Sequence, residues 1–363
     1  GPMGTTNFAT RHMGENAPIY STHINDHILT FGDTANLRAA IREMDLSGRF
    51  EAIAVAVSSS TAIIGFDVES FCEEEQDKVK ARLIPIAFSA LGTDYTVGLT
   101  RAMELFFKTY VEACLQKPRS YNILGCCADE YLIENDIKEI QRTLSEMFDY
   151  HCRMSYPLNT SLREIRFAAE AEFNIVLRQE ALPAAIWMKE RFNIPYVFSD
   201  CYGIQEMKKL LKEVSEVIRV SPRCAQLDSV NALSAHDKEK HVLILGNQNS
   251  ANGLLRCLTE ELEMHNVYAM AFSTTTHNKS IQPYKEEILE KQMRDTGPDI
   301  LIGNSILFDF PGHAPSIDIP LLKPVGIAMK TPRPHYPLRG ISGYNQLTLM
   351  LEGKGKGNVL FGE

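Results

Sequence analysis

The chain has 363 residues, 44% of them apolar, enough to bury a large core and, at roughly 100–200 residues per domain, to build two or three domains. Its formal net charge of −9 removes the usual drive toward phosphate backbones and anionic membranes, so no nucleic acid and no membrane is expected as a partner, and any anion site must be local. No apolar run approaches the roughly 20 residues of a membrane span and no apolar signal core opens the chain, so a cytoplasmic protein is expected, with Gly1-Pro2 before Met3 read as the remnant of a cleaved tag.

Short apolar, β-branched runs alternate with helical patterns, the signature of parallel sheets made of βαβ units. The first unit is predicted to hold a helix near Asn36 to Asp45, a strand Ala52 to Val57, a helix from about Asp67 to Arg82 and a strand Ile84 to Phe88. A long helix then runs from about Val97 to Lys117, where Pro118 stops it and marks a boundary. The second unit follows with the strand Tyr121 to Leu124, a helix carrying Ile137, Ile140, Leu144 and Met147 at helical spacing, and the strand Asn174 to Leu177. A helix near Ala181 to Arg191, the strand Tyr196 to Phe198 and a helix from Ile204 to about Val220 complete it. The polar stretch Ser221 to Lys240 reads as a linker or a surface helix pair. The third unit contains the strand His241 to Leu245, a helix from about Ser250 to His265 and the strand Tyr268 to Phe272. It ends with a helix across Tyr284 to Arg294, the strand Ile300 to Ile302 and a helix near Tyr344 to Leu351. The predicted fold is α/β, three doubly wound parallel-sheet (Rossmann-like) domains around a central cleft, with domains at 1–118, 119–240 and 241–363.

Eight cysteines are spread through these elements without a CxxC pair, so free thiols are expected. Cys126 and Cys127 follow a strand, where open α/β sheets carry function, but a small buried residue beside a partly exposed one is the plain reading. The loop Gly246-Asn247-Gln248-Asn249-Ser250-Ala251-Asn252-Gly253, between strand and helix, has helix N-terminal amides that could cradle an anion. It lacks the GxGxxG and Walker spacings, and a polar turn with Asn caps is the plainer alternative. His23 and His27 could share a helix face, but no third ligand accompanies them. Between Ile319 and Leu351 no Asp or Glu occurs, whereas Lys323, Lys330, Arg333 and Arg339 do, on a loop stiffened by Pro332, Pro334 and Pro337.

Six segments occur in an order that carries a resemblance. They are Ser58-Ser59-Ser60-Thr61-Ala62-Ile63-Ile64-Gly65-Phe66-Asp67; Gly92-Thr93-Asp94-Tyr95-Thr96-Val97-Gly98; Tyr121-Asn122-Ile123-Leu124-Gly125; Ile194-Pro195-Tyr196 with Tyr202-Gly203-Ile204; Pro298-Asp299-Ile300-Leu301-Ile302-Gly303-Asn304; and Gly340-Ile341-Ser342-Gly343-Tyr344. From Arg11 to Met350 the chain resembles the β-type half of the nitrogenase component 1 superfamily. That resemblance implies an oxidoreductase subunit working beside a homologous α-type subunit or a second copy of itself, as dimer or tetramer, and fed by an ATP-dependent iron–sulfur reductase. The family holds iron–sulfur clusters on cysteine thiolates. Here the matching positions are Thr5, Tyr20 or Ser21, and Ser58 or Ser59, and the first cysteine of the chain is Cys72. A hydroxyl is too basic and too hard to replace a thiolate on such a cluster, so no cofactor is expected on this chain alone, and a cluster would come through a partner subunit.

The resemblance also places Arg178 about where catalytic subunits have the cysteine that anchors their cofactor, and Lys330 near the anchoring histidine. The candidate cleft residues are therefore Arg178, Glu180, Asn247, Asn304, Lys330, Arg333, His335 and Arg339. They are expected to line a pocket for a small anionic ligand, such as a tetrapyrrole, a cofactor precursor or a phosphate, or else to stand in water on a proline-rich loop. A scaffold or binding protein with the fold but without electron transfer is the competing function.

Overall fold

A computed structural model describes residues 20, 22, 32–57, 61, 63–87, 94–223, 233–272, 278–303, 317–321 and 335–354. The chain divides into two compact units, Gly1–Ala102 and Met103–Glu363.

In the first unit, strands β1 (Ala52–Ala56) and β2 (Arg82–Ile86) pair in parallel. The helices Ala35–Leu46 and Val68–Gln76 contribute Ile41, Val68 and Phe71 to a core shared with Ile53, Val55 and Leu83. The second of these helices is shorter than its pattern suggests. Asp67 caps its start, accepting from the Ser70 N–H at 3.0 Å. Past its end, the N–H groups of Lys80 and Ala81 are held by the Asp45 carboxylate at 2.9 and 2.7 Å, which turns the chain into β2.

The helix Tyr95–Tyr110 also ends early, well before Pro118. The chain leaves the helix because its backbone finds tertiary partners: Glu112 N–H donates to the Arg166 carbonyl at 3.0 Å and Lys117 N–H to that of Glu170 at 2.7 Å.

The second unit holds two all-parallel sheets. One is ordered β4-β3-β5-β6, made of β3 (Ser120–Cys126), β4 (His151–Pro157), β5 (Phe173–Val176) and β6 (Tyr196–Phe198). The other is ordered β11-β10-β7-β8-β9, made of β7 (His241–Gly246), β8 (Asn266–Ala271), β9 (Ile281–Pro283), β10 (Ile300–Gly303) and β11 (Ile317–Pro320). In β7, Val242 and Ile244 belong to one core while Leu243 and Leu245 belong to another. Both faces of this central strand are thus covered, which is why it reads as a continuous apolar run rather than an alternating one. Strands β4, β9 and β11 escape the sequence pattern. β4 is a half-exposed edge strand with polar His151, Arg153 and Ser155, and the other two are three and four residues long.

The predicted helix Ser250 to His265 runs regularly only over Gln248–Arg256, then widens into a π-turn at Cys257–Glu261 and stops. This places the Glu261 carboxylate on the N–H groups of Ile204 and Gln205, 2.7 and 3.1 Å away, at the start of the helix Ile204–Ile218. The last described helix, Gly340–Leu351, packs on that helix and on Ile133–Phe148, so it returns to the β3–β6 half.

Candidate functional site

Each sheet of the second unit reverses its winding at one place, between β3 and β5 and between β7 and β10. In open α/β sheets ligands bind at such points, beyond the carboxyl ends of the strands. At the first reversal β3 is followed by Cys127, Asp129 and Glu130, and β5 by Arg178 and Glu180; at the second, β7 is followed by Asn247 and Asn249. Hydrogen bonds join the two sets.

Arg178 is fully buried. Its Nη1 donates to both oxygens of Asp129 at 2.7 and 2.9 Å and lies 3.5 Å from Glu130 Oε1. Its Nε and Nη2 donate to Glu180 at 3.3 and 3.4 Å. The Asn249 amide donates to Glu180 Oε2 at 2.9 Å and accepts from the Gln179 N–H at 3.0 Å. Asn247 donates to Glu130 Oε1 at 2.9 Å, while its own oxygen caps the Asn249 and Ser250 N–H groups.

Arg339, also fully buried, occupies the other side of Glu130. Its Nη1 donates to Glu130 Oε2 and, at 3.0 Å, to Asp136 Oδ2; its Nε donates to the Asp200 carbonyl at 2.9 Å. The guanidinium lies 4.6 Å from the centre of the Tyr202 ring. Asp136 also accepts from the Leu338 and Arg339 N–H groups at 2.7 and 3.0 Å. Next to Arg339, Gly340 has φ +76°, and its N–H donates to the Cys201 carbonyl at 2.9 Å.

Burial raises the Glu130 carboxyl, but the guanidiniums of Arg339 and then Arg178 outweigh burial and hold it below the ordinary carboxylate range. For Asp136 burial wins over Arg339 and the two backbone donors, and its carboxyl is raised. Both guanidiniums are held firmly protonated. Burial pushes the thiol of Cys72 up to about 11 and that of Cys201 up to about 12, and raises those of Cys126, Cys127 and Cys257 further. Buried protonated thiols are poor nucleophiles and poor metal ligands. Among the described residues no three His, Cys, Asp or Glu side chains are gathered in a way that could hold a metal ion.

The predicted cleft residues therefore divide. Arg178, Glu180, Asn247 and Arg339 come together, with Glu130 contacting both arginines and Asn247, and Glu180 contacting Arg178. His335 is exposed. Asn304, Lys330 and Arg333 lie outside the described residues, as do Thr5, Ser21, Ser58, Ser59, His23 and His27. Tyr20 is exposed and meets Phe50 edge-on. Asp129, Glu130, Asp136 and Tyr202 are not among the candidate site residues read from the sequence, and Asn249 is there only as part of the Gly246–Gly253 loop. Their available signal was Asp129-Glu130 directly beyond a buried strand, at the end where α/β sheets carry function.

The sequence profile of the nitrogenase component 1 type oxidoreductases matches residues 1–345. Among curated proteins, the chain is similar to the nitrogenase iron-molybdenum cofactor biosynthesis protein NifE of Nostoc sp., 24% identical over 200 residues, 54% of this chain and 41% of that protein. It is also similar to a subunit of the light-independent protochlorophyllide reductase of Nostoc sp., 20% identical over 301 residues, covering 75% of this chain and 59% of that one. The chain thus spans about two fifths to three fifths of the length of these relatives. Two solved structures of nitrogenase Cp1, at pH 5 and pH 6.5, superimpose with TM-scores of 0.68 and 0.64 at 15% and 16% identity. They cover 97% and 100% of this chain and 83% and 86% of theirs, a likeness of fold.

Proposed function

Because this chain belongs to the nitrogenase component 1 type oxidoreductases, we propose that it is a β-type subunit of a cytoplasmic reductive complex, contributing fold and interface rather than cofactor ligands. One observation carries this reading. Arg178, which the resemblance aligns with a cofactor-anchoring cysteine, is fully buried and paired with Asp129, Glu130 and Glu180. A group already bonded to three carboxylates is not free to anchor a cofactor, and removing it from them would leave buried negative charge uncompensated. The donors near it do not fit an iron–sulfur cluster either, since the Cys126 and Cys127 thiols are buried and held protonated. In the proposed complex the cluster thiolates come from a homologous cysteine-bearing subunit, and the electrons from an ATP-dependent iron–sulfur reductase.

Anaerobic co-expression with a cysteine-bearing homologue encoded beside it tests this. The expected result is a stable complex that contains iron, while the chain purified alone is colourless and iron-free. Stoichiometric iron on the isolated chain would overturn the assignment. A stable complex without iron would instead support a scaffold that has the fold without electron transfer.

A further inference from the structure

Among the described residues, four carboxylates, Asp129, Glu130, Asp136 and Glu180, meet two guanidiniums in the cluster between the two sheets of the second unit. Glu130 is the one that touches both arginines, and it is reached from the β7 side by Asn247. The pairs cross long stretches of sequence: Arg339 reaches back to Glu130 and Asp136, and Asn249 reaches Glu180. The Asn247–Glu130 and Asn249–Glu180 contacts tie the β3–β6 half to the β7–β11 half, at the strand ends where such folds take ligands.

We propose that this cluster is a charge-frustrated latch, closed by Arg178 and Arg339 and poised to open because its carboxylates outnumber them. The consequence is an asymmetry that ordinary ion pairs do not show. In a balanced network, loss of either sign leaves an unpaired charge and loosens the structure. In this one, loss of a guanidinium deepens the negative excess, whereas loss of the outermost carboxylate relieves it. Asp129 is that carboxylate: its side chain is about 35% exposed, so its neutral amide counterpart can be solvated, and Arg178 keeps Glu130 and Glu180. Opening the latch uncovers an acidic crevice, lined by Glu130, Asp136 and Glu180.

Cys127 reports the state of the latch, because it is buried beside Arg178, in the segment that carries Asp129 and Glu130. The experiment measures the rate at which a thiol reagent modifies Cys127 in the full-length native protein, read peptide by peptide by mass spectrometry. Rates are taken at fixed pH and low salt for the parent and for Arg178→Gln, Arg339→Lys and Asp129→Asn. Circular dichroism confirms the fold of each variant. Arg178→Gln is expected to label about tenfold faster or more, in line with the cost of stranding buried carboxylates. Arg339→Lys, which keeps the charge but loses the fork that holds Glu130 and the Asp200 carbonyl, is expected to fall between it and the parent. Asp129→Asn is expected to label more slowly than the parent. Faster labelling of Asp129→Asn, or equal labelling of it and the parent, overturns the latch, as does parent-like labelling of Arg178→Gln. If Arg178→Gln does not fold, the sign of the Asp129→Asn change decides alone.

Discussion

The two compact units each bury a charged cluster, and the clusters are built in opposite senses. In the first unit a single buried carboxylate, Glu75, is surrounded by Arg38, Arg42 and Lys78, all partly in solvent. All four residues lie on or next to two neighbouring helices. In the second unit two guanidiniums are buried together with Glu130, Asp136 and Glu180, groups brought from places in the chain as far apart as Glu130 and Arg339. The first cluster can lose a cation and let water replace it. The second cannot, because apart from the partly exposed Asp129 its charges are buried away from water. Charge count alone does not decide what an ion pair is worth; the depth of the charge left behind does.

The strongest way to break this comparison is Arg339→Ala. It leaves Glu130 and Asp136 buried without their main counter-charge, and should cost roughly 3–5 kcal/mol. Trp187, the one tryptophan of the chain, lies in the second unit, so its fluorescence during urea unfolding reads that unit directly. A loss below about 1 kcal/mol would put the cluster on a level with surface pairs.

Acid should act in the same direction more mildly. The folded-state value of Glu130 lies below its ordinary value of 4.5, so its contribution is fully present above that pH and is lost as the pH falls through the depressed value. Burial shifts Asp129 and Asp136 the other way, and they offset part of the loss. Trp187-monitored stability is therefore expected to fall on acidification below the carboxylate range, by less than Arg339→Ala costs. A Glu130→Gln variant, though less stable throughout, should lose this acid limb.

Gly340→Ala is expected to cost roughly 1–3 kcal/mol. Residue 340 has φ +76°, and an added methyl would stand 2.5 Å from Glu139 Cγ, forcing the helix start away from Arg339 and its partners. The smallest effect belongs to the first unit. Arg42 lies 3.9 Å from Glu75 with over half its side chain in solvent, so Arg42→Ala should change that unit's stability by no more than about 0.5 kcal/mol, measured by hydrogen exchange in the helices Ala35–Leu46 and Val68–Gln76. A change of several kcal/mol there would erase the distinction between the two clusters.

Local structure in the buried elements, and the family, were legible without coordinates. β7 is a continuous apolar run over Val242–Leu245, and β3 and β5 are buried along their whole length with Asn122 bonded to Asn174, because both faces of each sheet are covered; the helices Ile133–Phe148 and Ile204–Ile218 repeat their apolar residues at helical spacing because one face is covered. Such patterns depend on neighbours in sequence and can be read without coordinates. The six motif segments, read in order, carried the family in the same way. The early end of the helix at Tyr110, the edge strand β4 and the partners of Arg178 and Arg339 depend on residues far away in the chain, Arg166, Ser120 or Glu130 among them. From sequence, a basic stretch without acidic residues pointed to an anion from outside. The tertiary structure supplied the anions from the protein itself, because folding brought Asp129, Glu130 and Asp136 to the arginines, and two fully buried guanidiniums are stable only where carboxylates meet them.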